Sequence, residues 1–110
     1  MDIELILTLL GQESNEDNYE IITEALATNP TRLAQVNEAI AELAAIDLEL
    51  KALPANAMVT KVDDINLDYS KKMRILRIEA HSHLTTISTL TGLENLNLRY
   101  GRVFKSSYIG

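Results

Sequence analysis

The chain has 110 residues, no cysteine or tryptophan and 46% hydrophobic content, with a net charge of −6. That is enough for one domain with its own core. It excludes disulfides and thiolate metal sites and argues against disorder throughout. The charge is sorted along the chain: residues 1–68 hold fourteen acids against three bases (Arg32, Lys51, Lys61), while residues 69–110 hold two acids (Glu79, Glu94) against seven bases. Opposite potentials of this kind steer association and fix its register.

Residues Asp2 to Leu10 are apolar on most sides, and Gly11 closes them as the left-handed residue that follows a helix. A helix apolar nearly all round wants burial. Gln12 to Asn18 reads as a polar loop, with Asp17 or Asn18 capping a second short helix through Tyr19, Ile22 and Leu26 to about Ala27. Asn29-Pro30 is the clearest start signal, a capping side chain followed by proline where its missing N–H costs nothing. The third helix runs to about Leu53, ahead of Pro54, with Leu33, Val36, Ile40, Leu43, Ile46 and Leu50 along one face.

From 55 to 68 the period changes. Ile65, Leu67 and Tyr69 alternate with Asn66 and Asp68, which predicts an extended linker or short strand. A second long helix is expected from Asp68 or Ser70 to Gly92, with Met73, Leu76, Ala80, Leu84, Ile87 and Leu90 as its stripe. Lys71, Lys72, Arg74 and Arg77 then crowd its first two turns, against the macrodipole. Leu93 to Gly110 reads as an extended arm in which Leu96, Leu98 and Tyr100 alternate with Asn97 and Arg99. Eighteen residues are too few for an independent sheet, so their apolar positions must be covered, either by the chain's own helices or by another chain. The fold class is therefore mainly α: two long amphipathic helices, short N-terminal helices, an extended linker and an extended C-terminal arm. The division is a helical domain over 1–92 and an arm over 93–110.

Chemistry-bearing motifs are sparse. His81-x-His83 puts two imidazoles on nearly opposite faces of a helix, so they cannot chelate one ion, and Glu79 with His83 supplies only two ligands. Asp64-x-Asn66-x-Asp68 begins like a calcium loop, but Tyr69 stands where glycine is required and Ile75 where the bidentate glutamate belongs. Turn and capping chemistry account better for these groups. Asp63 and Asp64 lack the histidine or metal partner an acid–base pair needs. There is no phosphate loop, nucleophile elbow or cysteine nucleophile, so neither an enzyme nor a cofactor is expected. The net charge and the lack of a helix-turn-helix frame speak against a sequence-specific DNA reader. No apolar run approaches a membrane span, and the first residues lack the basic flank of a signal peptide, which predicts a soluble, unexported chain.

Short N-terminal helices, two long amphipathic helices joined by an extended segment, and a basic C-terminal arm together resemble the head-to-tail adaptor (connector) proteins of tailed bacteriophages. In that resemblance 2–53 is the helical half, 59–68 the linking loop, 69–91 the later helix and 93–110 the arm. The loop is short for an insertion loop and the first helices are short, so a tail-completion or stopper role is equally open. The resemblance implies a non-enzymatic virion protein, a ring of about twelve copies with DNA passing through its lumen. It also implies contacts with portal and tail or neck proteins. The candidate partner-contact residues are Leu96, Leu98, Arg99, Tyr100, Arg102, Phe104, Lys105 and Tyr108, with the three cations placed near acids of a neighbour. Two other readings remain open: a small cytoplasmic helical regulatory module that dimerises through its long-helix stripes, and an enzyme accessory subunit or small enzyme using an interfacial site.

Overall fold

The computed structural model describes residues 1–53 and 64–100, with side chains described for all of these but 64–68. Four helices follow in order: α1 (Ile3–Leu10), α2 (Glu16–Leu26), α3 (Pro30–Ala52) and α4 (Asp64–Thr91). The fold is mainly helical, as its composition and periodicity predict.

Each start carries its own chemical signal. The Asp2 carboxylate accepts the Leu5 N–H at 3.1 Å, the Asn15 side-chain oxygen that of Asn18 at 2.8 Å, and the Asn29 side-chain oxygen that of Arg32 at 3.0 Å. All three satisfy N–H groups that a helix leaves without an internal partner. The α2 cap is Asn15, not the expected Asp17 or Asn18. Asn15 holds an extended backbone, and the earlier start puts Glu16 and Asp17 in the first turn, where negative charge is favoured. Pro30 occupies the first turn of α3, and Leu53 turns extended ahead of Pro54.

The largest difference lies at the start of α4. Backbone over 64–68, expected to be extended, is helical from Asp64 onward. Lys71 and Lys72 therefore sit two turns into the helix, where the macrodipole has faded, and an aspartate holds the first position. The conflict between basic charge and helix N-terminus disappears. The rest of the expected linker, 55–63, lies outside the described residues.

The two long helices make the main packing seam. Val36, Ala39, Leu43 and Ile46 of α3 are buried with Leu76, Ala80, Leu84 and Ile87 of α4. Leu33, Ile40, Leu50 and Leu90 border them half-buried. Ile6, Leu7 and Leu10 of α1 and Ile22 and Leu26 of α2 complete the same core. Among the described residues no helix is long and apolar enough to cross a membrane.

Leu84 is wholly buried and Leu43 nearly so, at 0% and 4% exposure. Replacing either with alanine should lower unfolding free energy by about 2–5 kcal/mol in a denaturant titration, because the seam cannot collapse fully into the space. A loss below about 0.5 kcal/mol at both sites would contradict the seam.

Candidate assembly surface

The residues singled out as partner contacts divide when placed on the fold. Leu96 and Leu98 are 49% and 53% exposed, and Arg99 is also exposed, whereas Tyr100 is buried in the core of its own chain at 6%. Arg102, Phe104, Lys105 and Tyr108 lie outside the described residues, as does all of 101–110.

Residues 93–100 are held by the chain itself, and the reason begins at the end of α1. The last four carbonyls of a helix need outside donors. Gly11, at φ +69°, makes a Schellman turn in which its own N–H goes to the Thr8 carbonyl at 3.1 Å and that of Gln12 to Leu7 at 2.9 Å. The other two carbonyls are met from the far end of the chain. The Leu96 N–H donates to Leu10 at 2.7 Å, and the Asn97 side-chain amide donates to Leu9 at 2.8 Å. Gln12 returns the contact by donating Nε2 to the Glu94 carbonyl at 2.7 Å. A β-carbon at Gly11 would stand 3.0 Å from the Asn97 nitrogen, so glycine serves both the backbone angle and the close approach.

Local turns fix the rest of the segment. Asn95 accepts the Asn97 N–H at 3.0 Å, and Asn97 accepts that of Arg99 at 2.9 Å, two successive side-chain turns. Leu93 is buried, and buried Thr91 donates its hydroxyl to the Ile87 carbonyl at 2.8 Å. Leu96 and Leu98 are thus presented on an anchored backbone, with their side chains left about half in solvent.

The segment closes on Asp47 of α3. Its carboxylate accepts from Arg99 Nη2 at 2.9 Å and from the Tyr100 hydroxyl at 3.2 Å, and pairs with Lys51 Nζ at 3.5 Å. The Arg99 guanidinium also lies 5.2 Å from the Tyr100 ring centre. The ion pairs are solvent-facing and worth only about 0.2–1 kcal/mol each. Burial raises the Tyr100 pKa above its ordinary value; the Arg99 and Arg77 charges oppose the shift and Asp47 reinforces it.

Clefts border α3 and α4 among the described residues. A cavity of about 200 Å³ is lined by Leu50, Lys51, Met73, Arg77, Arg99 and Tyr100. Elsewhere along the two helices a cleft of about 350 Å³ is lined by Gln35, Glu38, Ala39, Glu42, His83, Thr86 and Leu90. It continues into one of about 430 Å³ that shares Glu38 and Glu42 and adds Glu49 and Glu79. His83 Nε2 lies 3.3 Å from the Glu42 carboxylate across the seam. No group of three or more His, Cys, Asp or Glu among the described residues is placed to hold a metal ion.

The chain matches no family model, no curated protein and no solved structure.

A raised tyrosine pKa has a definite sign. The neutral phenol is favoured by the fold, so its contribution is fully present below the ordinary value near 10 and is lost as pH rises through the higher folded-state value. Tyr100→Phe should therefore flatten the alkaline end of the stability profile, followed by thermal melts from neutral pH upward. At neutral pH it should cost about 0.5–1.5 kcal/mol for the lost hydrogen bond. Identical alkaline profiles would show that Tyr100 does not contribute to them.

Proposed function

We propose that the chain is a non-enzymatic structural subunit that assembles head-to-tail into a ring. Its resemblance to phage adaptors makes the neck of a tailed bacteriophage, between portal and tail, the setting for that ring, with DNA passing through the lumen. The observation that carries the reading is the presentation of Leu96 and Leu98 beside Arg99 on a backbone pinned to α1 and α3. A free arm would have to be ordered on binding, at about 1–2 kcal/mol of backbone entropy per residue. Over 93–100 that ordering is already supplied by the chain's own helices, so apolar contact at these two positions goes into association.

The dimeric regulatory module has less in its favour. It needs the long-helix stripes to pair between chains, and both are already buried against each other within one.

Native mass spectrometry across a concentration series is the test. The wild-type chain should give a closed species of many copies. The double variant Leu96→Gln, Leu98→Gln should keep its melting temperature within about 0.5 kcal/mol equivalent, as expected for exposed positions, while its assembly weakens at least about tenfold. A wild-type chain that stays monomeric, or stops at a dimer, would refute the reading.

A further inference from the structure

Acid and base are sorted along the chain, and where α3 and α4 border the clefts they divide by helix face at four positions as well. On α3, Glu49 lines the acidic cleft while Lys51 lines the small cavity. On α4, Arg77 lines the small cavity while Glu79 lines the acidic cleft. Residues two apart on a helix point about 160° away from one another. At these four positions each helix turns its acid to one side of the seam and its base to the other, while Asp47 of α3 lies among the bases.

The two sides differ in shape as well as charge. The cavity side gathers Lys51, Arg77 and Arg99 with Leu50 and Met73, and Asp47 pairs with Lys51 and Arg99 there. Arg77 has no acid within ion-pair distance among the described residues, and its charge reaches Tyr100. The cleft side carries Glu38, Glu42, Glu49 and Glu79 along a continuous groove, with His83 beside Glu42. Ile75, 55% exposed, stands one turn before Glu79 and adds apolar surface toward that side, with the exposed Lys72 one turn earlier still at the groove's edge.

We infer that the acid-lined groove of one copy docks on the cation-lined cavity of a second copy, so that the two sides of the α3–α4 pair are the two halves of one head-to-tail interface. This rests on the self-assembly proposed above and names the surfaces it uses. Charge complementarity selects the occupant. An isologous dimer through either side would set like charges against each other, whereas a heterologous contact pairs acid with base and leaves each copy with one free half. The glutamates lie spread along the groove and do not converge on one point, which suits a protein surface better than a bound cation. Charged groups around a partly apolar centre follow the usual anatomy of such contacts.

Paired charge-reversal variants of the full chain test this. One variant carries Lys51→Glu and Arg77→Glu; the other carries Glu49→Lys and Glu79→Lys. Circular dichroism checks that each stays folded, and Lys51→Glu and Glu49→Lys alone, both at exposed positions, provide the fallback pair. In sedimentation velocity each variant should lose self-association by at least about tenfold, and the wild-type assembly should loosen between low and high salt. Mixing the two variants in equal amounts should restore association, because each then meets an intact complementary half. Wild-type-like assembly by both variants would overturn the surfaces while leaving the ring proposal standing. Variants that lose assembly but fail to recover on mixing would overturn the head-to-tail pairing. A wild-type chain that never assembles would remove both.

Discussion

Everything else on this molecule is arranged around the apolar seam between α3 and α4. Eight side chains buried to within a few percent fix the rotation of each helix about its own axis. Once that rotation is set, the direction of every other side chain on α3, and on α4 from Tyr69 onward, follows from the helical repeat. The seam is therefore a positioning device as well as a source of stability. It decides that Glu49 and Glu79 share one side and that Lys51 and Arg77 share the other.

The short helices and the segment after Gly92 do a second job. Two of the carbonyls left over at the end of α1 are satisfied by Leu96 and Asn97, and in return those residues are held against the body. The Asp47 contacts extend that hold to Tyr100 and complete the wall of the basic cavity. Hydrogen-bond satisfaction at one helix end thus places Leu96, Leu98 and Arg99 where a neighbour meets them in the proposed assembly.

Much of this was legible in the sequence where one residue type carries one strong constraint. Asn29-Pro30 opens α3, Pro54 follows its end, and Gly11 and Gly92 take the positive φ angles at which α1 and α4 stop. The stripes of both long helices repeat over enough turns to define a face. Shorter signals were ambiguous. Asn15, Asp17 and Asn18 are all competent caps, and only the backbone geometry selects Asn15. Five residues from 64 to 68 are too few to separate a period of two from one of 3.6 residues, so alternation suggested a strand where the chain is helical. The docking of 93–100 on its own helices was hidden for a different reason. Asn97 meets Leu9 across 88 positions and Gln12 meets Glu94 across 82, and the acceptors are backbone carbonyls that no side-chain pattern announces. For the candidate surface, the charge imbalance between the two halves was visible at once. Its division between helix faces emerged only when Glu49 with Lys51, and Arg77 with Glu79, were placed about the seam.

The claim that two different faces of this helix pair meet between copies is most directly tested by zero-length carboxyl–amine cross-linking. The assembled protein would be an equal mixture of light and heavy nitrogen-labelled chains, read by peptide mass spectrometry. Mixed-isotope links are expected from Lys51 to the acids of the groove, Glu49 and Glu79 foremost. Same-chain links from Lys51 to Asp47, which already lie 3.5 Å apart, should appear beside them without isotope mixing. Assembled protein that yields only the same-chain product, or mixed links from Lys51 to acids away from the groove, would contradict the claim.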